Sequence, residues 1–399
     1  MQYNQTSPES ADTLNLLLLC AGSGVGGMEQ TVRRLASELI QQRASVQVIL
    51  PECEDARQTA TLFQGDGIPT ECHSSLTHAF GKRRLKGVLP LARKLCASSA
   101  SVVNFHYGMN FPPLNDILAS RSAGKQCVVS LHSGGGADPL PPWERRLKNR
   151  IAATFCTAII AVSEYQAGEM VQHGIPPQKI KVIPNGVTPV LETPDPRKNA
   201  RERLGLPIDA FIVCVVARLT VPKNVSALIS VLAEQSEIPF YLAIAGDGPE
   251  RAILEAEANI RLPGRHRFFG NLQDITALYE ASDIFALPSR EESFGLVFAE
   301  AAHFGLPCVA FSVGGVPETI HHGLTGLLTP LDDLRSFGIA LRCLYFDDSL
   351  RKRYGTEARL RAQSIFTTQL MTERYLRVYR GAKPGYHGIH RRNATPKNA

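Results

Sequence analysis

Two acids with seven residues between them, Glu292 and Glu300, bracket the segment ESFGLVFAE. Eight positions on one continuous helix would turn them about 80° apart around its axis. Gly295 interrupts the run, however, and the helical pattern begins at Leu296. Glu292 then lies in the lead-in loop and Glu300 in the first turns, so the two carboxylates can grip different ends of one ligand. Between them, the backbone N–H groups of Gly295, Leu296 and Val297 and the positive end of the helix dipole make an anion site that suits a phosphate.

Two cations share that reading. Arg218 ends an apolar run in VVARLTVPK, and Lys223 follows in the loop before the next helical pattern. Charge-assisted hydrogen bonds to phosphate contribute about 1.5–3 kcal/mol each. Arg218, Lys223 and the helix start could therefore neutralise a departing diphosphate with no metal. No aspartates stand at D-x-D spacing and no His or Cys cluster has ligand spacing, so no metal is expected. A third candidate is His132, at the end of the strand-like run QCVVSLHS. His106, at the end of another such run, is a weaker one for an acceptor, as is Asp138.

Near the N-terminus, Gly22, Gly24 and Gly27 fit G-x-G-x-x-G after an apolar run. One reading is an NAD-dependent oxidoreductase, with Glu52 or Glu54 on the ribose. It accounts for the first fifty residues only and leaves Glu292, Glu300, Arg218 and Lys223 without a task. The other reading is that the glycines let backbone approach a different ligand at a strand-to-helix turn.

The elements that must position these groups alternate along the chain. Seven apolar, strand-like runs (14–21, 45–51, 68–73, 101–107, 126–133, 157–163 and 179–184) are separated by helical patterns. Being apolar throughout, they read as strands covered on both faces, hence a parallel, doubly wound α/β sheet. Proline and charge without an apolar period mark a linker or domain start after Val187. Six more strands follow, at 211–217, 241–245, 266–269, 283–288, 308–312 and 327–329. Residues 333–380 are helical in pattern. The expected division is residues 1–190 as one Rossmann-like domain, 191–365 as a second, 366–382 as a C-terminal helix able to return to the first, and 383–399 as a loose basic tail. Ligands bind outside the carboxyl ends of parallel strands, so two such sheets face one cleft.

The 399 residues suffice for two cores. With 44% apolar and 20% charged residues, and no apolar run near 20 residues, the composition excludes disordered, fibrous and membrane-spanning classes. Nine scattered cysteines without C-x-x-C suggest neither disulfides nor zinc, and fit a reducing cytoplasm. A formal charge of +6 is modest for this length and calls for no nucleic acid. In residues 80–99, Lys82, Arg83, Arg84, Lys86, Arg93 and Lys94 accompany an apolar stripe, which leaves open contact with the inner face of a membrane, although Pro90 interrupts it.

Taken in order, GGME (26–29), AVSE (161–164), IPNGV (183–187), ARLTVPK (217–223), IAGDGP (244–249), ESFGLVFAEA (292–301) and GLPCVAFSVGGVPE (305–318) resemble the family-4 glycosyltransferases, the glycosyl transferases group 1. The similarity spans roughly residues 14–380 and is stronger in the second half. It implies the GT-B fold, two Rossmann-like domains facing across a cleft. It further implies a retaining hexosyltransferase of polysaccharide, glycan or glycolipid synthesis. The donor would be a nucleotide-sugar (a UDP- or GDP-sugar), and the acceptor a sugar, glycan or lipid-linked molecule. No cofactor is implied, the nucleotide-sugar being a substrate.

By the same resemblance, Arg218 and Lys223 hold the diphosphate, Glu292 the donor sugar's hydroxyls and Glu300 the ribose. Phe294, Gly295, Leu296 and Val297 line sugar and phosphate through backbone groups, and His132 contacts the sugar. Gly26 and Gly27 admit donor phosphate and acceptor, Asn185 matches a binding position, and the base rests near Phe269-Gly270-Asn271-Leu272. A GT-B nucleotide-sugar epimerase is the nearer alternative, but it needs an acid/base pair that this sequence does not display.

Overall fold

The computed structural model describes residues 14–22, 24, 26–74, 88–108, 114–133, 141–188, 196–272 and 275–381. Asp138, residues 80–87 of the basic stretch and the tail from 382 lie outside them. The first half runs β1 (Asn15–Cys20), α1 (Gly27–Gln41), β2 (Ser45–Pro51), α2 (Glu54–Gly65), β3 (Thr70–His73), α3 (Val88–Ala97), β4 (Val102–Tyr107), α4 (Leu114–Ser122), β5 (Gln126–Leu131), α5 (Pro142–Phe155), β6 (Ala158–Ala161), α6 (Glu164–Gln172) and β7 (Ile180–Val182).

The second half continues with α7 (Pro196–Leu204), β8 (Phe211–Val216), α8 (Val225–Glu234), β9 (Phe240–Ala245), α9 (Arg251–Arg261), β10 (His266–Phe268), α10 (Thr276–Ala281), β11 (Ile284–Leu287), α11 (Leu296–His303), β12 (Cys308–Phe311), α12 (Val316–Thr319) and β13 (Gly326–Thr329). Three helices close the chain: α13 (Leu334–Phe346), α14 (Asp348–Ile365) and α15 (Thr368–Tyr379).

Both sheets are parallel and share one winding. The first is ordered β3-β2-β1-β4-β5-β6-β7 and the second β10-β9-β8-β11-β12-β13. Strand order therefore reverses beside β1 in one sheet and beside β8 in the other, where the carboxyl ends open a crevice. The inner strands are buried on both faces because helices cover both, while the edge strands β3, β7 and β10 stay partly exposed. In the first half Leu16 and Leu18 face a core shared with α1, α2 and α15, while Leu17 and Leu19 face one shared with α3, α4, α5 and α6. The second half has one continuous core of its own.

The segment after Val187, which shows no apolar period, is not all linker: α7 forms within it. The helix is held by charge instead of an apolar stripe. Arg201, buried, and Arg197 both reach the buried carboxylate of Asp283 at 2.8 and 2.7 Å. The same carboxylate accepts the backbone N–H of Ile212 at the start of β8.

The last helix, α15, lies on the first sheet, against α1. The chain crosses between the halves twice, and the crossings are bonded to each other. Val187 N–H donates to Phe366 O at 2.7 Å, and Thr368 N–H to Val187 O at 3.1 Å. Val187, Phe294 and Phe366 meet there with Val162 of the first half and alanines of α11 and α14 in a small apolar cluster between the sheets.

Candidate active site

Loops at the carboxyl ends of β8, β11 and β12 build the cationic side of the cleft. The N–H of Arg290, after β11, donates to Pro222 O at 2.8 Å, which lays the loop after β8 beside the loop after β11. This places the Lys223 ammonium 2.6 Å from a Glu292 carboxylate oxygen. Beneath them, Gly315 N–H donates to Glu292 O at 2.9 Å. Gly314 has φ +53°, and a Cβ there would stand 1.9 Å from the same carbonyl. The Gly-Gly of SVGGVPE is therefore the shelf on which the Glu292 loop rests.

The next turn opens α11. Gly295 caps it at φ +79°, a left-handed conformation in which a side chain would also strike the Phe298 ring at 2.5 Å. Gly295, Leu296 and Val297 thus present the helix start to the cleft. The Phe294 side chain turns away and meets the Phe366 ring edge-on at 5.4 Å in the cluster between the sheets. Only its backbone is left to face a ligand. Arg218, one residue beyond the buried Ala217, is exposed at the cleft edge.

Glu300 sits on α11, nearly buried, with both carboxylate oxygens engaged. One is 2.6 Å from the Arg34 guanidinium of α1, in the other half of the molecule; the other accepts the Tyr279 hydroxyl at 3.0 Å. Burial and the nearby carboxylate push the Tyr279 hydroxyl well above its ordinary pKa, so it remains a donor. Arg34 also donates to Gly186 O in the first crossing segment. An ion pair thus joins the helix that begins at the glycine loop to the acid expected to hold a ribose. Neither Arg34 nor Tyr279 is among the residues singled out from sequence, because their partners are 266 and 21 positions away.

Across the cleft, the glycine loop curls over an acid. Glu29 is buried, accepts the Gly26 N–H at 3.0 Å, and occupies the space beside Gly22. Burial raises its pKa, while backbone hydrogen bonds and the Arg218 charge oppose that shift. Gly27 faces Leu296: a Cβ there would be 3.7 Å from the leucine's Cδ2, an ordinary contact across the gap. GGME carried this signal, but sequence reading took its glycines and passed over its glutamate.

His132 and His106, at the ends of β5 and β4, form a pair. Nδ1 of His106 is 2.9 Å from Nε2 of His132, and the rings stack at 5.2 Å. Burial pushes His132 down to about 4 and His106 well below the ordinary range, the latter helped by its neighbour's charge. Both are neutral at pH 7, sharing one N–H. His132 Nδ1 and His106 Nε2 are buried, with no hydrogen-bond partner among the described residues. Beside the pair, Tyr375 of α15 stacks on His106 and donates toward Ser130, which bonds Asn104.

Two more links close the cleft. Ser163 Oγ donates to Ser293 O, and the Glu318 carboxylate accepts the N–H groups of Glu164 and Tyr165 at 2.8 Å each, capping α6 from the other half. Asn185 is buried in the first crossing segment. Among the described residues no group of three or more His, Cys, Asp or Glu is placed to hold a metal ion.

Lys223, Glu292, the start of α11, Glu29 and His132 thus lie at the carboxyl ends of two doubly wound parallel sheets, the two-sheet arrangement of the GT-B class. The chain belongs to the family-4, group 1 glycosyl transferases: residues 25–190 match Glycosyltransferase Family 4 and residues 196–361 match Glycosyl transferases group 1. It is 30% identical over 181 residues to N-acetyl-alpha-D-glucosaminyl L-malate synthase of Bacillus anthracis, covering 45% of this chain and 48% of that one. It is 29% identical over 268 residues to D-inositol 3-phosphate glycosyltransferase of Mycobacterium bovis, covering 64% and 55%. The chain thus spans about half the length of these curated relatives.

The fold matches that of Anabaena Alr3699/HepE in complex with UDP, with a TM-score of 0.76 at 24% identity over 91% of this chain and 98% of that one. It also matches a glycosyltransferase of Rickettsia africae, with a TM-score of 0.79 at 20% identity over 92% and 98%.

Proposed function

We propose that the protein is a retaining glycosyltransferase that moves a sugar from a UDP- or GDP-sugar to a sugar, glycan or lipid-linked acceptor, without a metal. The observation that carries this reading is the Lys223–Glu292 pair set beside the open start of α11, with Arg218 at the same edge and the glycine loop opposite. A diphosphate between them would meet Lys223, held in place by Glu292, the exposed Arg218 and the helix amides. Its developing negative charge would be stabilised where it forms, which is usually the largest catalytic contribution. Glu292, already oriented by Lys223, would accept hydrogen bonds from donor hydroxyls.

Across the gap, His132 at the end of β5 would contact the sugar or acceptor. Among the described residues no side chain is poised as a covalent nucleophile, so the acceptor would attack the face from which the leaving group departs. Closure of the two halves over the donor would keep water from competing for it. The UDP and UDP-glucose present in structures of the Anabaena protein support a uridine donor.

The oxidoreductase reading is disfavoured by Glu29. Its carboxylate occupies the N-terminus of α1, where a dinucleotide's pyrophosphate would rest.

A thermal-shift panel of nucleoside diphosphates, sugar nucleotides and NAD tests the proposal. A true donor at 100 times its dissociation constant stabilises by about 2.7 kcal/mol. Stabilisation by NAD alone, or by none of the nucleotides, would overturn it.

A further inference from the structure

The helical layer that covers the first sheet with α3, α4 and α5 has an outer face that the site does not use. On α5 the exposed residues are Trp143, Arg146, Leu147, Arg150, Ile151 and Phe155, with Thr154 between them. Trp143 is 66% exposed and Leu147 54%. Those positions follow the three- and four-residue steps of one helix face. The side turned to the sheet carries only Asn149, Ala152 and Ala153. This helix therefore packs through small residues and shows its large apolar ones to solvent, the reverse of an ordinary covering helix.

Its neighbours extend the surface. α4 packs against both α3 and α5. It exposes Leu118 and Arg121, and α3 exposes Leu89 and Arg93. In α3 the sequence's apolar stripe, Leu91 and Leu95, is buried in the core, and Lys94 pairs with Glu71, so that stripe is not the one presented. Among the described residues of the three helices the acids are Asp116, buried against the Tyr107 hydroxyl, and Glu144, half-buried. The exposed charges of this face are thus Arg93, Arg121, Arg146 and Arg150.

We propose that the α3–α4–α5 face docks on an anionic lipid surface, with Trp143, Leu147 and Ile151 entering the headgroup region and the four arginines on lipid phosphates. An exposed stripe of large apolar side chains with cations along its edge is the composition of an interfacial helix. Trp suits the boundary between wet and apolar layers. A second copy of the chain is the poorer occupant: a two-fold contact sets the same patch against itself, and here arginines would oppose arginines with no acid to meet them.

The orientation has a use. α5 follows β5, so its first turn, with Trp143, lies toward the strand ends that carry His132. A docked molecule would bring the cleft edge to the membrane, where a lipid-linked acceptor resides. That last step rests on the functional reading above; the docking does not.

Trp143 is the chain's single tryptophan, so its emission reports this face alone. Titration with phosphatidylcholine vesicles containing phosphatidylglycerol should blue-shift the emission, weaken with added salt, and fail with phosphatidylcholine alone. Leu147→Ser with Ile151→Ser should weaken vesicle binding at least about tenfold. Arg150→Glu should weaken it about fivefold or more. Both variants should keep the parent's melting temperature and nucleotide-induced stabilisation.

Cosedimentation with vesicles without a shift in emission would place the contact elsewhere and overturn the assignment. So would absence of binding, or binding undiminished in these variants. A concentration-dependent shift without vesicles, accompanied by a dimer's sedimentation, would give the face to a second copy. Nucleotide stabilisation is read separately, so loss of one result leaves the other standing.

Discussion

The two sheets share a strand order, yet their carboxyl edges are chemically unlike. At the second sheet the loops carry full charges in contact with one another, Lys223 on Glu292 at 2.6 Å, with Arg218 exposed nearby. At the first, the groups are hidden and shifted toward neutrality: His106 and His132 held uncharged by burial, Glu29 pushed up by the same cause. One scaffold thus provides a fixed field on one wall and neutral hydrogen-bonding groups on the other. In the proposed reaction the leaving diphosphate would meet the charged wall, while the neutral wall would face uncharged sugar or acceptor groups.

The sharpest way to break this division is Lys223→Ala. It removes a cation from the charged wall and leaves Glu292 without its partner. Turnover should fall about a hundredfold, equivalent to about 2.7 kcal/mol, with the fold intact by circular dichroism. A change below threefold would show that the second wall does not work through its charge.

Arg34→Met tests the link between the walls. Losing the partner of a nearly buried carboxylate leaves that charge uncompensated. The KM for the donor should rise about tenfold, more than kcat falls, and Arg34→Lys should restore part of it. An unchanged donor KM would separate Glu300 from nucleotide binding.

Smaller still is the pH effect on the neutral wall. A histidine whose pKa is lowered by folding favours the folded state at pH values above its unfolded pKa, and loses that advantage as acid charges it. Stability should decline from about pH 6.5 toward about pH 4, and His132→Gln should flatten part of the decline. Glu29 and Glu318, raised by burial, work in the opposite direction, so the difference between the parent and variant curves is the measurement. Superimposable curves would mean that His132 titrates as it would in water.

Much of this architecture was legible because the inner strands are buried on both faces. All thirteen coincide with expected strands, the partly buried edge strands β3, β7 and β10 included; Ser45–Pro51 coincides with β2, and most of the others differ at their ends by a residue or two. α7 escaped notice because it is fixed by Arg197 and Arg201 on Asp283, a partner more than eighty positions away that leaves no periodic trace. α5 is the reverse case. Trp143, Leu147, Ile151 and Phe155 have the spacing of an inward stripe, but the buried side of the helix carries Asn149, Ala152 and Ala153 instead.

At the site, local signals were readable: the glycine start of α11, the cation after β8 and the Gly-Gly shelf. Pairings across the gap were not. Arg34 with Glu300 and Glu318 with the start of α6 depend on how the halves meet, and sequence spacing does not encode that.

The paired crossings at Val187 and Thr368 set a practical limit on how this molecule can be cut. The final helix supplies Met371, Tyr375 and Tyr379 to the interior of the domain that the chain left some 180 residues earlier, and Tyr375 and Tyr379 satisfy polar groups on Ser130 and Asn104. Expressing either half alone would strip the first of a wall and leave the second trailing an oily, unanchored peptide. The gene can be divided at its midpoint, but the folding unit cannot.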